Sequence, residues 1–469
     1  MEQFSNLDRV MDARDHFKNG TKMLIGSILL LLFTVSAFGQ TKIFSREQMI
    51  EDIDKLFSTI EEVHLDMYAV YPKQQLTKDI ERMKSELEPS GDIFYFYKQV
   101  APLVAKLGDG HTNVPLPFYS PSDLINIEFF PVSIKVTYLD KKILVQSNYT
   151  QDTIIPINAQ ITSINNRQAN DIVQEMVNHL SGEKDFFKIG MLEQVFPLLI
   201  YALYRDSVFD IEYLYNQNMY SKQVKAFTYQ EIYEKIIQQY ESASNELYIF
   251  STLPEKNIGI IELNSFKNMD RFEVFIDSVF HVLQKENIEN LIIDIRENGG
   301  GNTPLVEELF QYISPVPFAE SGKIIVKYSD FQKQFYKTNY NVEETNPNGI
   351  KIYENSQLIE LRENPLRYKG SVFLLTSHNT YSAAADCSWA FKYFKMGTIV
   401  GEETGGLAVS FSDMITPTLP NSGLLYGISH KKSYEYGATD DNIHGTIPDY
   451  NVAAEKALDF TIDLITRKR

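Results

Sequence analysis

The sequence predicts an α/β protein, and three observations carry that expectation. The runs NIGIIEL and NLIIDIR read as apolar strands flanking a helix from about Met269 to Lys285, which makes a β-α-β unit. The apolar, β-rich run Ser371–Thr376 ends in a short polar loop, after which an alanine-rich segment opens at Ser382, giving strand, tight loop and helix. Between Ser45 and about Leu107 the apolar residues of MIEDIDKLFSTIEEVH and LTKDIERMKSEL recur at spacings of three and four, the period of amphipathic helices.

With 469 residues, 43% of them hydrophobic and 13% aromatic, the chain can bury large cores, enough for two or three domains. A formal net charge of -18 argues against a nucleic-acid backbone or an anionic membrane surface as its main partner, because both would repel it. The apolar block MLIGSILLLLFTVSAF at 23–38 follows Lys22 and ends among small residues, the layout of a secretory signal peptide cleaved near Gly39 or Gln40. The expected location is therefore periplasmic or secreted, with membrane contact only through that segment if it stays uncleaved. Its long polar lead makes Met23 an alternative start. Cys387, the single cysteine, excludes an intrachain disulfide and a cysteine-cluster metal site. The chain also has no closely spaced pair of histidines, so neither a metal nor another cofactor is expected.

The helical segment closes in AKLGDGHTNVPLP, where glycines and prolines stop the helix and put His111 on a turn. From Ile127 to about Tyr229 the pattern alternates like strands, then gives a turn, a strand, an Asn165–Asn166 turn and an amphipathic helix. This stretch resembles a PDZ domain. Asn158 stands where such domains usually have glycine, and asparagine tolerates the left-handed conformation needed there. Two readings follow: capture of an extended peptide by strand addition, or a module that only spaces its neighbours. The aromatic insert GEKDFFKIGMLEQVFPLLIYALY reads as core.

Past a linker near Ser251–Lys256, the strand NLIIDIR runs straight into Glu297-Asn298-Gly299-Gly300-Gly301-Asn302. Glycines at a strand end allow close backbone approach to a ligand and can cradle a phosphate or an oxyanion, although the spacing is not that of a dinucleotide site. A second helix is expected from Pro304 to Tyr312, and the charged stretch Tyr328–Arg367 reads as an inserted surface loop. Ser382, near a helix N-terminus, has two readings. It is an N-cap, alone or with Thr380, or it is a nucleophile served by free N–H groups that can stabilise an oxyanion.

The order of the motifs then adds up. DIRENGGGN, about eighty residues later TYSAAAD, then GEETGG and HGTIPD, with GDGHT in the preceding helical segment, resembles the C-terminal processing, or tail-specific, protease family with its crotonase-like core. The resemblance implies Ser382 as nucleophile, with an oxyanion hole from the N–H groups of Ala383 and of Gly300 or Gly301. Members that use a serine-lysine dyad carry the lysine where this chain has Leu407. Lys392 and Lys395 would lie about 15 and 20 Å along the helix from Ser382, out of reach. The sequence is similar instead to the tricorn-like branch, which uses serine, histidine and an acid. That similarity implies His111 as base, since an imidazole titrating near neutral pH can accept and return the serine proton. The branch's acid aligns with Asn442, and the adjacent Asp441 is the expected acid ahead of Asp440. Gly110 replaces a serine that precedes the branch's histidine; His378, His430 and His444 are the fallback bases.

The expected layout is a signal peptide with polar extension (1–39), an N-terminal helical domain (40–118), a PDZ-like β/α domain (119–250) and a crotonase-like protease core (251–469). The implied function is an exported serine peptidase acting on peptides or unfolded protein tails. The alternative is a non-catalytic relative that binds a peptide or hydrophobic ligand.

Overall fold

The computed structural model describes residues 42–119, 124, 127–137, 141–148, 154–228, 231 and 247–467. The apolar block at 23–38 and the cleavage site expected beside it lie outside these residues. The chain has a mixed α/β fold in two compact units: Met1–Asn245 with Lys327–Gly349 and Asp413–His430, and Glu246–Val326 with Ile350–Ser412 and Lys431–Arg469.

In the first unit the helix Arg46–Val63 starts on a capping box, Ser45 Oγ accepting from the Gln48 N–H while the Gln48 side chain accepts from the Ser45 N–H. Its buried stripe of Met49, Ile53, Leu56 and Ile60 packs in one core with the helix Ile93–Ala105, itself capped by Asp92. The helical and PDZ-like segments of the sequence share that core. It continues into an antiparallel sheet ordered Val132–Val136, Ile143–Asn148, Gln160–Ile164, Val208–Tyr215 and Asn218–Lys225, and into the helices Ala169–Val177 and Asp185–Tyr204. Asn158, Asn165 and Asn166 all have positive φ (64°, 49° and 61°), the left-handed turns their residue type favours. The aromatic insert forms the Asp185–Tyr204 helix, with Leu192, Phe196, Leu199 and Ile200 buried as expected of core.

The second unit is built on a six-stranded sheet in the order Tyr248–Leu253, Ile258–Leu263, Asn290–Asp294, Ser371–Thr376, Thr398–Gly401 and Tyr450–Asn451. The first pair is antiparallel and the others parallel. Parallel strands are covered on both faces, which is why these read as continuous apolar runs. Alternate residues divide accordingly. Ile261, Leu291, Ile293, Val372, Leu374 and Ile399 face the helices Met269–Lys285, Thr303–Ile313 and Ala383–Tyr393. Ile258, Ile260, Ile292, Phe373, Leu375 and Val400 pack with Ala457 and Ile465 of the helix Ala454–Arg467. Because Asn290–Asp294 and Ser371–Thr376 are neighbours, the loops leaving their carboxyl ends lie side by side, the usual place for a site in such a sheet.

One expectation fails. The stretch read as a surface loop holds the end of the strand Ser321–Tyr328, the helix Asp330–Tyr340 and the strand Gly349–Glu354. The helix is capped by Ser329, whose Oγ accepts from the Gln332 N–H, and only Gln332 and Tyr336 of its residues are buried. So narrow an apolar stripe has no helical period to read.

Candidate active site

Three loops of the second unit meet around Ser382. The strand Ser371–Thr376 ends at Ser377, whose N–H donates to Thr380 Oγ1 while Thr380 Oγ1 donates to the Ile295 carbonyl at 3.0 Å. Tyr381 N–H donates to the Asn298 carbonyl at 3.1 Å, so the glycine loop and the serine loop are tied on both sides of their contact. Thr380 thus serves the loop. Ser382 occupies the N-cap position without making a side-chain cap bond, and its backbone has φ 52° and ψ -133°, a conformation that L side chains rarely adopt. Such a residue carries on the order of 1–3 kcal/mol of strain, held by its surroundings.

Those surroundings are glycines. A Cβ on Gly300 (φ 102°) would lie 2.8 Å from Ser382 Cβ and 3.1 Å from the Ala383 nitrogen. A Cβ on Gly406 would lie 2.6 Å from Ala385 Cβ and 3.1 Å from the Ser382 nitrogen. The glycine run is itself pinned by Asn298, which is fully buried, donates from Nδ2 to the Leu263 carbonyl at 3.0 Å and accepts the Gly300 N–H on Oδ1 at 2.8 Å. Gly405 and Gly406 donate to the Thr380 carbonyl at 2.9 and 3.2 Å. The GEETGG and HGT segments are stitched in turn by Thr446 N–H to Thr404 Oγ1 at 2.7 Å and Gly445 N–H to Glu403 Oε1 at 2.9 Å. Leu407 is buried at the position of the absent lysine; Lys392 and Lys395 are exposed, and Lys392 Nζ pairs with Asp449 at 3.2 Å.

Asp441 lies in the same unit, exposed in a turn, while Asp440 accepts from Tyr434 OH at 2.7 Å, which holds its carboxyl below the usual range. His378 Nδ1 pairs with Glu402 Oε2 at 2.6 Å. Burial raises the Glu402 carboxyl, and the His378 bond and charge lower it by more. His444 Nδ1 donates to the Gly445 carbonyl at 2.7 Å beside the Trp389 ring.

His111 belongs to the first unit, as does the buried His430, which packs edge-on against Tyr336. The His111 N–H donates to Asp109 Oδ1 at 2.8 Å, and its ring Nδ1 lies 4.0 Å from the same oxygen, with the side chain 15% exposed. Asp109 is fully buried. Its Oδ2 accepts from Ser429 Oγ at 2.5 Å and from His64 Nε2 at 3.1 Å. His64 Nδ1 accepts the Asp66 N–H at 3.0 Å, which leaves its proton on Nε2, facing Asp109. Burial alone would raise the Asp109 carboxyl, yet the hydrogen bond from His64, the charge of His111 and the Ser429 bond hold it near 2. Nothing in the sequence singles out Asp109, His64, Glu183 or Asn298 as site residues. The acidic residue two positions before His111 was in view in GDGHT; its buried partners come from distant stretches with no spacing to read.

A second feature of the Ser382 helix also escaped the sequence. Asp386, one turn into that helix, lies against Glu435, with Glu320 and Cys387 close by. Burial pushes the Asp386 carboxyl up to about 7 and raises Glu320, Glu435 and the Cys387 thiol well above their ordinary values.

The fold of the chain is similar to that of solved structures. A crystal structure of a serine-to-alanine mutant of CPAF matches with a TM-score of 0.64 at 12% identity, over 90% of this chain and 97% of that one. Mature CPAF matches with a TM-score of 0.60 at 14% identity, over 90% and 97%. At such identities the likeness is one of fold. The sequence itself carries the class: the chain is a serine-type peptidase acting on peptide or protein substrates. Residues 257–452 match the model of peptidase family S41.

Proposed function

We propose that the chain is an exported serine peptidase that hydrolyses peptides or unfolded protein tails, with Ser382 as nucleophile, His111 as base and Asp441 as the acid. The observation that carries this reading is the backbone of Ser382, a strained non-glycine residue at a helix start whose hydroxyl does not cap the helix. Strain of this kind persists at reactive residues because the surroundings over-determine it. Here two closely packed glycines do so.

In the proposed reaction Ser382 Oγ attacks the scissile carbonyl carbon as its proton passes to the His111 imidazole. The tetrahedral oxyanion is held by the Ala383 N–H and the glycine run. The Gly300 N–H already donates to Asn298 Oδ1, which favours Gly301 as the second donor and gives Gly300 the task of close approach. The imidazolium then protonates the leaving amine, and water, deprotonated by the same imidazole, hydrolyses the acyl-enzyme. Asp441 would stabilise the imidazolium. The PDZ-like segment at 119–250 is proposed to present extended substrates by strand addition. No metal takes part in this scheme. A fluorophosphonate that forms one adduct, on the peptide containing Ser382, tests it; a wild-type chain that stays unlabelled and cleaves no peptide would instead support the ligand-binding alternative.

A further inference from the structure

We propose that Asp109, His111 and Glu183 form a zinc site that holds the peptidase inactive. All three belong to one compact unit, and one donor atom from each lies within 4.8 Å of the others. Both carboxyl oxygens of Glu183 are buried and make no well-formed hydrogen bond, the backbone N–H groups of Glu183 and Gly110 acting on them only weakly, although buried carboxyls are ordinarily satisfied. Two carboxyls and an imidazole that converge this closely offer a divalent ion one nitrogen and at least two oxygens.

The donor set selects the metal class. One imidazole nitrogen and two carboxylate oxygens suit zinc, which binds three protein ligands and keeps water in the remaining position, better than magnesium or calcium, which prefer oxygen alone. The outer support is already built, because Ser429 Oγ and His64 Nε2 both donate to Asp109 Oδ2 and leave Oδ1 turned toward His111. Lys188 and Asp185 lie on the same side, the lysine's charge acting on Glu183 and the aspartate's on the lysine. His111, partly exposed, is the entry side. Inhibition rests on the reading of His111 as base, since a metal-bound imidazole cannot accept the serine proton; metal binding itself does not.

The test is calorimetric titration of the full chain with Zn²⁺, repeated with Co²⁺ for its visible absorption, in the wild type, Glu183→Gln and His111→Ala. The expected result is one ion per chain, with each variant at least tenfold weaker at unchanged circular dichroism. No binding by the wild type, or binding that neither substitution weakens, overturns the site. The two readings separate cleanly. Loss of turnover in His111→Ala beside a wild type that binds no zinc retains the base and removes the metal site, whereas zinc bound through Glu183 beside an active His111→Ala does the reverse.

Discussion

Asn298 shows how a single side chain can set a catalytic loop. Its two side-chain bonds, to Leu263 O and from Gly300 N–H, and its carbonyl bond from Tyr381 N–H join three segments that the chain holds far apart. Asn298→Ala leaves both partners of the side chain unpaired in a buried place and lets the glycine loop shift. A displacement of about 1 Å costs on the order of a hundredfold, so kcat should fall by about that factor while the labelled residue remains Ser382. Steady-state kinetics with active-site titration checks it. Gly300→Ala should be worse, because its Cβ would press on Ser382 and the Tyr381 carbonyl at 2.8 Å and φ is 102°. It should lower the urea midpoint as well as kcat, by roughly 1–3 kcal/mol of stability. The glycines were legible in the sequence because a GGG run after a strand has few other uses. Asn298 was not, since an asparagine beside glycines reads as any turn residue until its bonding partners are seen.

The helix Ala383–Tyr393 carries a pH dependence of its own. In the folded chain Asp386, Glu435 and Glu320 are held protonated to unusually high pH by burial, with Asp386 near 7. Folded groups that bind protons more tightly than unfolded ones contribute stability that is fully present below the unfolded value, about 4, and is lost as pH rises through the folded one. The urea midpoint should therefore fall between pH 5 and 8, and Asp386→Asn should flatten that fall. A midpoint that rises over this range in the wild type would contradict the account. Asp109 acts in the opposite direction, its carboxyl near 2 giving stability that is present above about 4 and lost as pH drops toward 2. At this scale the sequence showed the helix but not its acids: one turn of spacing put Asp386 on the helix, while Glu320 and Glu435 lie on other segments.

Across the whole molecule, legibility followed local apolar pattern. The β-α-β unit, the strand into Ser382, the asparagine turns and the buried aromatic helix were all readable because each buries a face whose period is written in consecutive residues. The segment Asp330–Tyr340 was not, since it buries little of its surface. Nor could the pattern show that the N-terminal helices and the following sheet share one core, because that core is assembled from long-range contacts. Export belongs to this scale too. Mass spectrometry of the protein from its native host should find an N-terminus near Gln40, and an intact segment at 23–38 would contradict export by cleavage.

The central claim, that Ser382 is activated by His111, is most directly tested by the rate of fluorophosphonate labelling as a function of pH in the wild type and in His111→Ala. The wild type should give one adduct at Ser382, with an acid limb between roughly pH 6 and 7 as the imidazole protonates. In His111→Ala that limb should vanish and the rate at neutral pH should fall by about a hundredfold or more. Labelling of His111→Ala at the wild-type rate, or an adduct at any residue other than Ser382, would contradict it.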